Sequence, residues 1–253
     1  MVRGLYTAAK GMMVAQVNVD VASQNMANVN TPGYRKDDTL VSAFPSMLLA
    51  RLDGNGTATI GQTATGSALD GIYTSFEEGA VHETGDPLNM AVSGNAFFTV
   101  KGPQGQLFFT RNGDFQLNLN KQLITSTGDS VVGDLNGQAE EIFAPDGKLS
   151  VASDGTLSGA TDSQGRAIAK LYLTAKPAGA TWLKAGSSLF SGSSASPAPG
   201  YAVRQGASED SNVNAVAEMV KMLDSMRAYE ANAKVIQVTD STLEKAVSSI
   251  GNV

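Results

Sequence analysis

The sequence has 253 residues, of which 42% are apolar and 17% are charged, and it carries a net charge of −6. That apolar content is enough to build an ordinary hydrophobic core in one large domain or two modest ones. The acidic balance argues against nucleic-acid binding, since phosphate recognition needs clustered Lys and Arg. The absence of cysteine excludes a disulfide scaffold, a zinc ribbon and a thiol nucleophile.

The first residues do not have the pattern of a secretory leader. Polar residues interrupt this segment at Lys10, Gln16, Asn18 and Asp20, and no small-residue cleavage site follows. No stretch approaches the roughly 20 apolar residues of a membrane span. We therefore expect a soluble protein without direct membrane insertion, which leaves the cytosol, if at all, by a route that needs no cleaved leader.

An amphipathic helix and the turn that ends it are predicted over residues 1–35. Apolar residues recur at alternating spacings of three and four, as in a helix that packs along its length: Leu5, Ala8, Met12, Ala15, Val19, Ala22, Met26 and Val29. The following residues are typical of a helix end and a turn: Asn28, Asn30, Thr31, Pro32, Gly33 and Tyr34. Because Pro32 lacks an amide donor and Gly33 allows positive φ, we expect the helix to stop here, with Tyr34 packed at the junction.

The middle of the chain is predicted to be mainly β. Residues 36–75 show neither helical nor strand periodicity and are predicted to be an extended connector, whereas residues 76–205 are predicted to form a β domain. Apolar, β-prone runs alternate there with Gly-containing turn signals: 96–100, 107–110, 115–117 and 169–173.

A second, longer helix is predicted within residues 206–253. Residues at the same alternating spacings, all apolar except Asp240, resemble five heptads: Ala215, Met219, Met222, Met226, Tyr229, Ala233, Ile236, Asp240, Leu243, Val247 and Ile250. A helix of about 37 residues would be roughly 55 Å long. A second stripe of Val216, Val220 and Leu223 widens the apolar face. The acidic pair Glu209 and Asp210 precedes the helix, where the helix dipole favours negative charge.

Two interpretations of the apolar stripes are open. The terminal helices could form an intramolecular two-helix hairpin that only closes one domain. Alternatively, their surplus apolar surface marks an oligomer interface, because pairing with each other cannot bury all of it. The second interpretation predicts these interface residues: Leu5, Met12, Val19, Met26, Met219, Met222, Met226, Tyr229, Ile236, Leu243 and Val247. The predicted fold class is thus α+β, with long terminal helices pairing as a coiled-coil-like layer around a central mainly-β domain.

No catalytic, cofactor-binding or metal-binding residues are predicted. The single histidine, His82, has no second His and no Cys with which to form a metal site, and it is interpreted as a surface residue. The carboxylate pairs Glu77–Glu78 and Glu140–Glu141 are adjacent, so on a strand they would point to opposite faces and could not act together as acid and base.

Several segments, in order along nearly the whole chain, resemble a known family. These are residues 4–12, the turn at 27–34, two β segments at 86–100 and 109–115, the run Gln205-Gly206 with residues 209–214, and residues 226–232. Together they resemble the rod and hook proteins of the bacterial flagellar basal body, and are most like a distal-rod-type subunit.

The resemblance implies a structural subunit that transmits torque between motor and hook. It implies that the terminal helices stack with those of neighbouring subunits into an inner tube, with the β domain outside. Copies of the chain and other flagellar axial proteins would be its partners, and the flagellar type III apparatus would export it to the basal body. A hook or hook-junction protein of the same family is the first alternative, and a secreted β-domain adhesin or an enzyme are others.

Overall fold

A computed structural model describes residues 2–43, 47–53, 56–63, 66–135, 137–186, 188–192 and 196–251. The chain divides into two compact units. Unit 1 comprises Met1–Ala27, Lys36–Ser75 and Asn214–Val253, and unit 2 comprises Asn28–Arg35 and Phe76–Val213. Each unit is therefore assembled from segments that are far apart in the sequence.

Unit 1 contains two long helices and four strands among its described residues. In chain order they are α1 Val2–Ala27, β1 Asp37–Ala43, β2 Met47–Asp53, β3 Gly56–Thr63, β4 Ser67–Thr74 and α2 Ala215–Gly251. The two predicted terminal helices are confirmed. They form because apolar residues spaced by three and four lie on one side of a helix.

The two helices of unit 1 pack against each other in antiparallel orientation. Asn25, near the end of α1, contacts Glu218, near the start of α2, and a Cβ at Gly11 would lie against the side chain of Asn232. The most buried residues of α1 include three alanines spaced by seven, Ala8, Ala15 and Ala22. These small side chains, together with Gly11, allow α2 to approach closely.

The segment between the helices forms paired strands. β1 pairs with β4, from Asp37 opposite Thr74 to Ala43 opposite Ser67, and β2 pairs with β3. The sequence predicted only an extended connector over residues 36–75, and parts of that segment, 44–46, 54–55 and 64–65, lie outside the described residues. Burial along β1 and β4 does not alternate regularly, so this segment lacks the period of two by which strands are recognised.

Unit 2 is rich in strands, as predicted. Its strands and the two helices of unit 1 together give the α+β fold class. Its strands are β5 Val81–Glu83, β6 Met90–Ser93, β7 Phe97–Lys101, β8 Leu107–Thr110, β9 Phe115–Leu117, β10 Leu123–Thr125, β11 Ser130–Leu135, β12 Gln138–Glu141, β13 Ser150–Val151, β14 Leu157–Ser158, β15 Lys170–Leu171, β16 Leu173–Ala175, β17 Leu183–Gly186, β18 Leu189–Ser191, β19 Ser196–Pro197, β20 Ala202–Gln205 and β21 Ala207–Glu209.

A large antiparallel sheet organises unit 2. Its main path runs β17-β18-β8-β7-β11-β10-β9, with β12 and β15 also paired to β11 and with β16 joining β7 to β19. Two further pairs, β6 with β20 and β5 with β21, link the beginning of unit 2 to the strands that precede α2. The last strands of unit 2 are thus held against its first ones.

The two faces of β7 serve different apolar clusters. Phe98 packs in the larger cluster, with Met90, Phe115 and Leu123 among its buried members, while Phe97 packs in a smaller, aromatic cluster. Successive side chains of a strand point to opposite faces, so a continuous apolar run such as 96–100 fits a strand that is covered on both sides.

Trp182 lies at the centre of the aromatic cluster. Its ring stacks on Phe109 with centroids 4.4 Å apart, and it meets Phe97 edge-on at 5.0 Å. Phe190 and the partly buried Phe76 complete the cluster. Offset-stacked and edge-on pairs stabilise by about 0.5–1.5 kcal/mol beyond their buried area.

The aromatic cluster provides a test of the unit 2 core. Phe97→Ala removes a fully buried ring and should lower the free energy of unfolding by about 3–5 kcal/mol. Urea denaturation followed through the fluorescence of Trp182, the single tryptophan, measures this. Leu119→Ala, at a fully exposed leucine, is the control and should change stability by less than about 0.5 kcal/mol. Equal effects of both substitutions would contradict the cluster's role.

Candidate functional site

The start of α2 is fixed by a side-chain cap. The Asn214 Oδ1 atom accepts hydrogen bonds from the backbone N–H groups of Val216 and Ala217, each at 3.1 Å. Such a cap satisfies two of the amides that a helix leaves unpaired in its first turn. The cap therefore fixes Ala215 as the residue at which α2 begins.

These turns carry an exposed apolar surface, which we call the α2 apolar patch. It consists of Val216, Met219, Val220, Leu223 and Met226, whose exposed fractions lie between 46% and 70%. Single exposed apolar residues are ordinary, whereas a contiguous group of them on a helix marks a site of protein contact. The patch combines two stripes that the sequence analysis described separately.

A second apolar surface lies between the two helices, farther along α2. It is a groove of about 500 Å³ beside Met12, Met13, Tyr229 and Ile236. Met13 is also exposed on its outer side. The helix pair thus leaves apolar side chains uncovered on more than one side.

The predicted interface residues fall into two groups in the structure. The half-buried ones are Leu5, Met12, Val19, Met26, Met222, Ile236 and Leu243. The exposed ones are Met219, Met226, Tyr229 and Val247. Their contact with another molecule stays a prediction.

The residues of α2 that pack on α1 differ in several turns from the predicted apolar stripe. Glu218 is buried, and Ser225 and Asn232 are half-buried, whereas Met219 and Met226 beside them are exposed. Polar and small residues therefore occupy alternate positions of the packed face. The periodicity of apolar residues could not reveal this, since it counts only apolar positions.

The turn after α1 is packed into unit 2. Gly33 has φ of +64°, its N–H donates to the Glu209 carbonyl at 2.8 Å, and a Cβ there would lie 2.3 Å from the Asn112 nitrogen. Tyr34 is buried, as expected, and the Lys184 ammonium lies 4.1 Å from its ring centroid. Only glycine fits position 33, because both its φ and its surroundings exclude a side chain.

The other turn residues are more accessible. Asn28, Thr31 and Pro32 are half-buried and Asn30 is exposed. The Thr31 N–H donates to the Asn28 carbonyl at 3.1 Å, which closes the turn that the sequence predicted. Their position in a turn fits the expected helix stop at Ala27.

Next to this turn lies a group of charged side chains that we call the buried ion cluster, formed by Arg35, Arg111 and Glu209. The Glu209 carboxylate lies 2.6 Å from Arg35 Nη2 and 3.1 Å from Arg111 Nη1. All three side chains are at most 2% exposed. Glu209 Oε1 also accepts the Gly79 N–H at 2.9 Å, so this carboxylate is fully surrounded by donors.

The Nη groups of the two arginines also donate to backbone carbonyls, whereas their buried Nε atoms have no hydrogen-bond partner among the described residues. Arg35 Nη1 donates to the Glu77 carbonyl at 2.5 Å, and Arg111 donates to the carbonyls of Val92 and Gly94. Burial lowers the pKa of Arg111, the Glu209 carboxylate opposes that change, and the Arg35 guanidinium adds to it. Arginine nevertheless stays charged at neutral pH.

The buried ion cluster holds together segments that are far apart in the sequence. It joins residues 33–35 after α1, residues 77–79, the end of β6 at residues 92–94 and the strand that ends at Glu209. Asn212 adds to this by donating its N–H to the Tyr34 carbonyl at 3.3 Å and its side-chain amide to the Glu77 carbonyl at 3.0 Å.

Sequence reasoning did not find the buried ion cluster and misassigned one of its members. Glu209 was expected to act at the N-terminus of the C-terminal helix, but it belongs to β21 and α2 begins only at Ala215. Arg111 and Glu209 lie within segments that carried the family resemblance. One arginine and one glutamate in such segments were the available signal, yet nothing local pairs Glu209 with Arg35, 174 positions away.

A separate polar group lies in unit 1, where Lys221 Nζ is 2.5 Å from Asp38 Oδ1 and 3.7 Å from Glu218 Oε1. Burial alone would raise the pKa of Asp38, but the hydrogen bond and charge of Lys221, with those of Lys36, hold it below its usual value. The hydrogen bond to Asp38 raises the pKa of Lys221.

Sites for other chemistry are not apparent in the described residues. His82 is half-exposed on β5, with Nδ1 3.1 Å from Asp210 Oδ1. In the part of the chain that the structure describes, no group of three or more His, Asp or Glu residues is arranged to hold a metal ion. Neither described helix contains a window apolar enough to cross a lipid bilayer.

Comparison with known families gives matches at both ends and in the middle of the chain. Residues 5–35 match the flagella basal body rod protein family, residues 91–159 match the flagellar hook protein FlgE/F/G D1 domain, and residues 204–249 match the flagellar basal body rod FlgEFG protein C-terminal family. The matched segments include the turn after α1, Arg111 and Glu209.

Individual relatives match over nearly their whole length. The chain is 31% identical to the flagellar basal-body rod protein FlgG of Borreliella burgdorferi, covering 96% of this chain and 97% of that protein. It is 30% identical to FlgG of Buchnera aphidicola subsp. Baizongia pistaciae, covering 97% and 98%. It is 29% identical to the flagellar hook-basal body complex protein FlhO of Bacillus subtilis, covering 100% of both chains.

The buried ion cluster can be tested by removing its negative charge. Glu209→Gln keeps the size of the side chain but removes the buried carboxylate between two buried guanidinium groups, which should cost about 3–5 kcal/mol of unfolding free energy. Urea denaturation with Trp182 fluorescence measures it. Glu78→Gln is the matched control, since Glu78 is half-exposed and 3.9 Å from Arg111, and should cost less than about 1 kcal/mol. If Glu78→Gln lowered the unfolding free energy as much as Glu209→Gln, the buried carboxylate would contribute no more than a half-exposed one, and the assignment would be wrong.

The ion pair of Asp38 and Lys221 should make the helix pair sensitive to acid. Because the folded pKa of Asp38 is depressed, its contribution is present above its unfolded value of about 3.9 and is lost as pH falls through the folded pKa. The difference in melting temperature between the native chain and Asp38→Asn, followed by circular dichroism, should therefore shrink below about pH 4. Asp224→Asn, at an exposed position on α2, is the control. A difference for Asp38→Asn that is the same at pH 3 and pH 7 would contradict the assignment.

Proposed function

This chain belongs to the flagellar basal-body rod proteins, and we propose that it assembles into the rod through the apolar faces of its two terminal helices. Its function is that of a structural subunit of the flagellar basal body, and its relatives are structural proteins rather than enzymes. The single observation that carries the assembly proposal is the exposed α2 apolar patch.

The patch supports contact with a further helix. In an isolated chain Val216, Val220 and Leu223 lie on the side of α2 away from Glu218, whose side chain contacts α1. Covering an apolar side chain stabilises a contact by about 25 cal/mol for each Å² removed from water. Because α1 already occupies the opposite face, the patch is suited to a second, neighbouring subunit. Together the paired helices and their neighbours would form the coiled-coil-like layer predicted from the sequence.

The contacts between copies are expected to be heterologous. A rod is a filament, and a filament forms when one surface of a subunit binds a different surface of the next and the rotation does not close into a ring. The α2 apolar patch and the groove beside Met12 and Tyr229 are two different apolar surfaces of unit 1. They can serve as the two complementary sides of such a contact.

Torque transmission requires that force applied to the helices reach the rest of the subunit. The buried ion cluster supports this role, because Arg35 and Glu209 tie the segment after α1 to the segment before α2 inside unit 2. We infer that these buried contacts hold together, within unit 2, the two chain segments that lead into the helices.

The partners follow from this role. We infer contacts with copies of the same chain and with other flagellar axial proteins, and export by the flagellar type III apparatus without a cleaved leader. Export can be tested by sequencing the N-terminus of the chain recovered from purified basal bodies. An intact N-terminus is expected, and a shortened one would contradict the proposal.

A hook or hook-junction role is the second candidate, since the D1 family that matches residues 91–159 is described for the hook protein as well. Among the described residues the large sheet lies in unit 2, and a single domain of this kind favours a rod subunit. Immunogold labelling of isolated hook–basal bodies separates the two, because label on the hook would favour the alternative. The distal-rod assignment is likewise a proposal, which label at the outer end of the rod would support.

Assembly can be tested by placing a charge in the α2 apolar patch. Met226→Asp should leave the isolated chain folded, with a stability change within about 0.5 kcal/mol, because the site is exposed. It should abolish rod assembly and swimming, because an unpaired charge buried in an interface costs several kcal/mol. Soft-agar motility and electron microscopy of basal bodies measure this in a strain that lacks the native chain.

The control introduces the same charge elsewhere on α2. Ala228 is exposed, lies two residues from Met226 and therefore points about 200° around the helix from it. Ala228→Asp should leave motility close to normal. Normal swimming of the Met226→Asp strain would show that the patch is not part of the assembly surface.

A further inference from the structure

The apolar contacts of the helix pair do not by themselves define how far α2 is shifted along α1. Ala8, Ala15 and Ala22 repeat at intervals of seven residues. A displacement by one heptad, about 10.5 Å, would present the same small residues to α2 again. Apolar packing is non-directional, so other features must select the register.

Polar side chains supply that selection near one end of the pair. Asn25 is fully buried; its Nδ2 donates to the Asp37 carbonyl at 2.8 Å and to Glu218 Oε2 at 3.3 Å. Its Oδ1 accepts the Asp37 N–H at 2.9 Å. The amide is therefore anchored on the backbone of β1 and offers one donor to α2.

The Glu218 carboxylate accepts this hydrogen bond through Oε2 and approaches Lys221 through Oε1. Its side chain is 4% exposed, and Oε1 lies 3.7 Å from Lys221, which pairs with Asp38 of β1. In a register shifted by one heptad, Ser225 would face Asn25, and Glu218 would lose this donor. A buried carboxylate without its partners is strongly unfavourable.

We propose that Asn25 and Glu218, supported by the Lys221–Asp38 ion pair, determine the register in which α2 packs on α1. Buried polar residues in a helix interface are known to specify register at some cost in stability. The same contacts fix which residues of α2 stay exposed, and thus where the α2 apolar patch lies. The proposal concerns pairing within one chain and does not depend on rod assembly.

The absence of cysteine from the chain allows the register to be measured by engineered disulfides. A Cβ at position 11 would lie 3.1 Å from Asn232 Cγ, which is close enough for a disulfide. Gly11→Cys with Asn232→Cys reports the register of the structure. Gly11→Cys with Ser225→Cys or with Thr239→Cys reports registers shifted by seven residues, which a disulfide cannot bridge in the native pairing. Purified monomer is oxidised and the cross-linked fraction is read on non-reducing gels.

Glu218→Leu is the variant that tests the proposal. In the native background the 11–232 pair should cross-link at least tenfold more than either shifted pair, and in Glu218→Leu that preference should fall to threefold or less. Glu218→Gln, which keeps an acceptor for Asn25, should retain most of the preference, and Met222→Leu, an apolar exchange on the same helix, should retain all of it. An undiminished preference in Glu218→Leu would overturn the proposal.

A second variant decides the matter if Glu218→Leu lowers the helix content measured by circular dichroism. Lys221→Met replaces a side chain that is 55% exposed, so it removes the ion pair while Glu218 keeps the Asn25 donor and Asp38 keeps Lys36. The shifted cross-links should rise two- to fivefold over the native background. Shifted cross-links at the native level in this variant would overturn the proposal in that case.

Discussion

The negative charge of Glu209 is enclosed by protein, and the structure around it is arranged to neutralise that charge. Removing a carboxylate from water costs several kcal/mol, which an ion pair offsets only when its geometry is good and the remaining lone pairs are used. Two guanidinium groups and the Gly79 amide meet this requirement. If the segment that carries any of them moved away, a buried charge would lose a partner, so the positions of these segments depend on one another.

Unit 1 depends on a similar constraint with a neutral group at its centre. The side-chain amide of Asn25 is buried beside the backbone of Asp37 and the carboxylate of Glu218. In both units the polar contact joins segments distant in the sequence. Apolar burial drives the segments together, and the polar contacts decide which arrangement they adopt.

Much of the fold could be read from the sequence, because its signals are local. The two helices follow from apolar residues three and four positions apart, and the strands of unit 2 follow from short apolar runs between glycine turns. The pairing in the ribbon of β1 and β4 was missed because burial along these strands does not alternate. The buried ion cluster was missed because Arg35 and Glu209 are 174 positions apart, and no local pattern relates them. The packed face of α2 was only partly predicted. Glu218, Ser225 and Asn232 lie on that face, whereas the apolar pattern predicted the neighbouring Met219 and Met226.

The distance in sequence between α1 and α2 has a consequence for the order in which the molecule forms. Asn25 and Glu218 are 193 residues apart, so at a synthesis rate of 5–20 residues per second about 10–40 s pass between them. During that interval the alanine face of α1 has no α2 to cover it. Strand pairs such as β7 with β8 are close in sequence and can form early. The helix pair and the buried ion cluster must both wait for residues beyond 208, and the molecule is therefore completed at the two places where its early and late segments meet.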